Sequence, residues 1–254
     1  MKGITKYIPN TLTCISLSFG FYASILGISG DYSGAMLAIF AAAVFDFLDG
    51  FAARLFKAFS PIGKDLDSLS DMVSFGVAPG TMLFSFLDSL LHYHTSLDDI
   101  GIYKLLLLPA FAIPILSALR LAKFNIDSRQ KTSFIGLPVP AHAIFWAALI
   151  FALSPYYMDF HLKLDSMFSN FLSDIPLIVI IIGLSALAII SSLLLVSEIP
   201  MFSLKVSSLG WKTAKLQYIL IISAILLIAI FGVIGISATI VLYILLSLFN
   251  PQKN

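Results

Sequence analysis

Residues 46–71 read DFLDGFAARLFKAFSPIGKDLDSLSD, with Asp46, Asp49, Gly50, Ala53, Arg54, Gly63, Asp67 and Asp71 spaced as D-x2-D-G-x2-A-R-x8-G-x3-D-x3-D. Four of these residues are carboxylates beside long apolar runs. An acid loses hydration there, so keeping it ionised requires a counter-charge, and such residues mark a site. Asp46 and Asp49 are three apart and share one helix face; Asp67 and Asp71 are four apart and share another. The segment between them holds Ser60, Pro61 and Gly63, which can fold the two helix ends together. Four convergent carboxylates are hard oxygen ligands suited to Mg²⁺, Mn²⁺ or Ca²⁺, and their charge suits two divalent ions better than one.

The surrounding chain determines what this cluster is embedded in. Hydrophobic residues make up 59% of the 254 and charged residues only 11%, with a mean hydropathy of +0.99. Soluble domains carry about 25% charged residues. The chain therefore reads as an all-α, polytopic integral membrane protein. Its net charge of +1 carries no signal for nucleic acid, which is not an expected partner. Cys14 is the only cysteine, so no intrachain disulfide can form, and it reads as a small buried apolar residue.

Apolar runs of about 20 residues, long enough to cross a bilayer as helices, fall near 8–29, 33–57, 66–91, 103–124, 138–155 and 175–197. A seventh run, 216–249, is too long for one crossing. Gly232 and Gly235 at its middle permit a reversal, which gives about eight transmembrane helices. With eight helices, Lys2, Lys6, Arg54, Lys57, Lys64, Arg120, Lys123, Arg129, Lys131, Lys205, Lys212, Lys215 and Lys253 fall on one side. Only Lys104 and Lys163 fall on the other. Basic residues stay cytoplasmic, so both termini and the aspartate cluster are expected at the cytoplasmic face. The opposite loops carry Asp31, Asp98, Asp99, Asp159, Asp165 and Asp174 as solvated charge. The N-terminal run is long enough to span and lacks a small-residue cleavage site. Pro9, Asn10 and Thr11 look like a helix start with a polar cap rather than part of a secretory signal. No internal repeat or long linker divides the chain, so a single membrane-embedded domain over 1–254 is expected.

Two metals on shared carboxylates are a recurring arrangement for phosphoryl transfer. Arg54, five positions after Asp49, can grip a phosphate with paired hydrogen bonds. Gly50 leaves room beside the acids for a bulky ligand.

The stretch from Asp46 to Asp71 resembles, at every fixed position, the signature of the CDP-alcohol phosphotransferase family, membrane enzymes that make phospholipids from CDP-activated lipids or alcohols. The resemblance implies that Asp46, Asp49 and Asp67 bind one metal and Asp46, Asp67 and Asp71 a second. It makes Asp71 also the general base, and assigns Gly50, Arg54, Ser60 and Gly63 to the CDP-linked substrate. It further implies a cytoplasm-facing cavity in the cytoplasmic membrane and a homodimer.

Three further segments, DSLSDMVSFGVAPG (Asp67 to Gly80), RLAKFNI (from Arg120) and FIGLPVPA (Phe134 to Ala141), resemble the phosphatidylserine synthase branch. That branch converts CDP-diacylglycerol and L-serine to phosphatidylserine and CMP, which implies those substrates, drawn from among membrane lipids and the cytoplasm. Selecting an amino acid requires a partner for its carboxylate. Arg120, Lys123 and Asn125 are candidates, as are Arg129 and Lys131, and Gly136, Pro138 and Pro140 can form a stiff turn against the substrate. Arg129 and Lys131 can equally anchor helix ends at anionic headgroups. Glycerol 3-phosphate or inositol phosphate as acceptor, or a donor with ether-linked chains, is the alternative within the family. A cation transporter is the alternative outside it, though it leaves Gly50, Ala53, Arg54 and Gly63 unexplained. His142 reads as a structural histidine, His92 and His94 as a solvated loop, and Glu198 as an interfacial residue that could approach the site. Trp146 and Trp211 carry no motif.

Overall fold

The computed structural model describes residues 7–94, 104–127, 134–154, 176–202 and 214–249. Lys2, Lys6, Asp98, Asp99, Arg129, Lys131, Asp159, Lys163, Asp165, Asp174, Lys205, Trp211, Lys212 and Lys253 lie outside those residues.

The chain folds as α1 (Ile8–Ile28), α2 (Tyr32–Phe56), α3 (Pro61–Asp71), a π-helical turn (Met72–Val77) and α4 (Ala78–His94). A 3-10 segment (Lys104–Phe111) runs into α5 (Ala112–Ile126), followed by β1 (Phe134–Ile135), α6 (Val139–Leu153) and α7 (Leu177–Val196). The remaining elements are β2 (Pro200–Met201), α8 (Lys215–Phe231) and α9 (Ile234–Phe249). Among the described residues, five helices are long and apolar enough to cross a membrane: Ile8–Ile28, Tyr32–Phe56, the continuous Pro61–His92, Lys104–Ile126 and Leu177–Val196. The other three apolar helices, α6, α8 and α9, are shorter. A helix thus occupies each apolar run, and the longest run is broken in two at Gly232, whose φ of +61° only glycine adopts readily.

Local chemistry accounts for the breaks. Gly30 (φ +81°) turns the chain after α1, and the Asp31 carboxylate caps α2 by accepting from the Gly34 N–H at 2.9 Å. Ser60 caps α3 in the same way, accepting from the Gly63 N–H at 3.1 Å, with Pro61 in the first turn where its missing N–H costs nothing. Pro109 cannot join an α ladder, and Lys104–Phe111 winds as 3-10 helix around it. The expected polar cap on α1 is not formed. The helix begins at Ile8, and Thr11, already inside it, bonds the Tyr7 carbonyl at 3.0 Å. His92 sits on α4 rather than in a loop, its Nδ1 2.8 Å from the Asp88 carbonyl.

One contiguous apolar core runs from Ala23 in α1 to Tyr243 in α9. Its centre is α6, which is apolar all round and packs on α2, α4, the π turn, α7 and α9. His142 is fully buried on this helix, with Nε2 3.0 Å from Ser191 Oγ, and the Trp146 indole donates to both. In contrast α8 buries only Gln217 and Leu220, and turns Ile221, Ile222, Ile225 and Leu226 outward. Cys14 is exposed, not buried as its size had led us to expect, because it lies on the outward face of α1.

The two short strands pair antiparallel, Phe134 with Met201 and Ile135 with Pro200. They hold the segment before α6 against the end of α7. Gly136 and Leu137 continue that contact, donating to Ile199 O (2.8 Å) and Leu194 O (2.9 Å).

Candidate active site

The C-terminal turns of α2 and the N-terminal turns of α3 meet across the short connection 57–60, where Lys57 adopts a left-handed φ of +51° to end α2. This brings carboxylate oxygens of Asp46, Asp49 and Asp67 within 4.8 Å of one another. Asp71, one turn beyond Asp67, is in side-chain contact with Asp46. Its Oδ1 is buried with no hydrogen-bond partner. Among the described residues, none of the four forms an ion pair with lysine or arginine. Asp49 is buried and the other three acids are half-buried; such acids without a cationic side chain, one of them carrying an orphaned oxygen, fit a hard divalent cation held by oxygen ligands.

Helix α1 forms the third side of this cluster, a contribution the sequence reading missed. Thr13 is buried, and its hydroxyl donates to Asp49 Oδ2 at 2.5 Å. That bond fixes the carboxylate's orientation, the service that outer-shell groups give metal ligands. Serines then lace α1 to its neighbours: Ser16 donates to Ala42 O (2.9 Å), Ser70 to Thr13 O (3.2 Å) and Ser74 to Ser16 O (3.1 Å). The available signal was a polar Thr13 four residues after Pro9 in an apolar helix.

The π turn starts immediately after Asp71, where insertions of this kind often accompany function. Its Gly76 packs on α5, since an added Cβ would lie 3.1 Å from Ser117 Cβ.

The cluster opens into a cavity of about 570 Å³. Its walls include Asp46, Asp49, Gly50, Ala53, Arg54, Ser60, Gly63, Asp67, Asp71, Arg120 and Pro138 from the sequence reading, joined by Pro9, Asn10, Thr13, Phe47, Phe59, Lys64 and Phe124. Arg54 is exposed, and its Nη1 lies 3.5 Å from where a Cβ on Gly50 would stand. A Cβ on Gly63 would instead press to 2.9 Å from Ser60 Oγ and 3.0 Å from Asn10 Oδ1. Arg120 is only 5% exposed, with its guanidinium 5.4 Å above the Phe124 ring and its Nε unpartnered.

Asn125 and Gly136 are not in the cavity wall. Asn125 ties α5 to α3, donating from Nδ2 to Ser68 Oγ at 2.8 Å while its carbonyl accepts from Lys64 Nζ at 3.0 Å. Gly136 (φ +78°) packs on the carbonyls that end α7.

A sequence model of the CDP-alcohol phosphatidyltransferase family matches residues 6–171. A CDP-diacylglycerol–serine O-phosphatidyltransferase of Bacillus subtilis is 36% identical over 150 residues, covering 59% of this chain and 78% of that protein. An archaetidylserine synthase of Methanothermobacter thermautotrophicus is 30% identical over 194 residues, covering 75% and 71%. A CDP-diacylglycerol–serine O-phosphatidyltransferase of Methanocaldococcus jannaschii is 33% identical over 152 residues, covering 60% and 64%.

Proposed function

Because the chain belongs to the CDP-alcohol phosphatidyltransferase family, we propose that it transfers a phosphatidyl group from CDP-diacylglycerol to L-serine, giving phosphatidylserine and CMP. The observation that carries this reading is the convergence of Asp46, Asp49, Asp67 and Asp71 with Gly50, Arg54, Ser60 and Gly63 on one cavity. The acceptor follows from the relatives, whose names all specify serine although one makes an archaeal lipid.

Asp46, Asp49 and Asp67 would hold one divalent cation, Mg²⁺ or Mn²⁺ with Ca²⁺ also fitting, and Asp46, Asp67 and Asp71 a second. Cations held there would supply positive charge against the diphosphate and the departing CMP. The protein's own groups do the rest. Arg54 grips the diphosphate from the cavity rim. Ser60 already accepts from the Gly63 N–H, so its own proton remains to donate to a phosphate oxygen. Gly50 and Gly63 leave space for the nucleotide. Asp71 Oδ1 takes the proton of the serine hydroxyl as that oxygen attacks the lipid-bearing phosphorus and the bond to the CMP oxygen breaks.

The whole chain acts as one membrane domain. Eight crossings with both termini cytoplasmic account for the distribution of lysine and arginine and put the cavity on the cytoplasmic side of the cytoplasmic membrane. The family resemblance supports a homodimer. The test is incorporation of labelled L-serine into lipid by membranes containing the protein. Label should enter lipid only when CDP-diacylglycerol and a divalent cation are both present, with CMP released in equal amount. Serine incorporation that survives EDTA, or none under any condition, would contradict the proposal.

A further inference from the structure

Helix α3 carries Asp67 and Asp71, yet of its 11 residues only Ser70 is buried. A helix this short is marginal in water on its own and takes its stability from tertiary packing. With so little buried, the placement of α3 falls on polar ties. One runs to α1, where the Ser70 hydroxyl donates to Thr13 O at 3.2 Å. The others close a ring with the last turn of α5. Asn125 Nδ2 donates to Ser68 Oγ at 2.8 Å, the Ser68 hydroxyl donates to Lys64 O at 3.3 Å, and Lys64 Nζ donates to Asn125 O at 3.0 Å. The donors and acceptors match throughout, because a hydroxyl can accept one bond while donating another. Asn125 O is also among the last four carbonyls of α5, which lack helical partners and favour a cation. The ring therefore ties together two walls of the main cavity: Lys64, Asp67 and Asp71 on α3, and Arg120, Leu121 and Phe124 on α5.

We infer that this ring positions the cation-binding acids, with Asn125 acting through Ser68 to fix Asp67, its chain neighbour, and Asp71, one turn further on. The inference rests on the proposed assignment of the four aspartates to divalent cations and deepens it. Asp46 and Asp49 stand on α2, so a cation shared between the two pairs needs α3 at a fixed approach to α2. Without the Asn125 bond, α3 keeps its Ser60 cap and its tie to Thr13 and stays folded, but that approach loosens. Ligands held loosely by their supporting groups bind poorly even when all are present. Asn125 is on this account a positioning residue that touches neither substrate.

The experiment titrates purified wild type, Asn125→Ala, Ser68→Ala and the double variant with Mn²⁺, reading the free ion by electron paramagnetic resonance. KM for L-serine is measured alongside at saturating Mn²⁺. Each single variant should raise the Mn²⁺ dissociation constant about 3- to 10-fold, the fold-change that one half-buried hydrogen bond is worth. The double variant should bind within about twofold of the single ones, because all three lack the same bond. Ser68→Thr keeps the hydroxyl and should bind Mn²⁺ as wild type does. KM for serine should move by less than about twofold in every variant, since no group that binds serine is lost. Unchanged Mn²⁺ affinity in both single variants would overturn the inference. So would a raised serine KM in Asn125→Ala with Ser68→Ala unaffected, the signature of direct contact with the acceptor. Should Asn125→Ala fold poorly, Ser68→Ala against Ser68→Thr carries the test, and equal Mn²⁺ affinity in those two would overturn it. A wild type that binds no Mn²⁺ would overturn the cation assignment and the inference with it. One that binds Mn²⁺ but forms no phosphatidylserine would overturn only the choice of reaction, which keeps the two failures distinct.

Discussion

Asp71 keeps one carboxylate oxygen buried and unpartnered at the bottom of the cavity, while Thr13 spends its hydroxyl on Asp49. In the proposed mechanism Asp71 transfers the proton and Thr13 positions a carboxylate. On the proposed mechanism Asp71→Asn preserves shape and removes both the base and one ligand of the second cation, so kcat should fall by about 10²–10⁴ with the thermal unfolding midpoint little changed, as read by CMP release and a melting curve. Thr13→Val preserves shape and removes one hydrogen bond to a carboxylate. The divalent-ion concentration for half-maximal activity should rise about 10-fold or more, and Thr13→Ser should restore it; identical metal dependence in wild type and Thr13→Val would refute the positioning role. The acids were legible because charge in an apolar stretch is conspicuous. Thr13 was not, since its partner is 36 positions away and only the packing of α1 on α2 brings them together.

Glycines at element ends distinguish architecture from substrate space. Gly136 sits at φ +78°, and an added Cβ would lie 2.5 Å from Leu195 O and 2.9 Å from Ser197 O. Gly136→Ala should therefore destabilise the protein by at least about 1–2 kcal/mol, seen as a lower unfolding midpoint. Gly50→Ala meets only Arg54 Nη1, at 3.5 Å. It should leave the midpoint unchanged and raise KM for CDP-diacylglycerol, the expected effect of filling nucleotide space. The helices themselves were readable from apolar run lengths, and the break at Gly232 from two glycines in an overlong run. The π turn after Asp71 and the strand pair Phe134–Ile135 with Pro200–Met201 were not. Both are set by packing between distant segments, and neither leaves a periodic trace. The same limit placed Asn125 and Gly136 on the substrate, whereas the structure uses them to join α5 to α3 and β1 to α7.

Across the whole molecule, α6 links the cavity to the C-terminal helices. Its first residues wall the site, Ser237 of α9 bonds the Phe145 carbonyl at 2.9 Å, and Tyr243 bonds that of Phe202 at 3.1 Å. The family's sequence model ends at residue 171, yet the described helices beyond it share the core. In the proposed mechanism the aspartate cluster handles only the diphosphate and a hydroxyl, so it does not specify the acceptor. The most direct test gives purified protein CDP-diacylglycerol and a divalent cation, then compares CMP release with L-serine, glycerol 3-phosphate and inositol phosphate. The account predicts kcat/KM for serine at least about 10²-fold above either phosphate ester, the margin that one well-matched polar site provides. Faster turnover with glycerol 3-phosphate or inositol phosphate than with serine would contradict it.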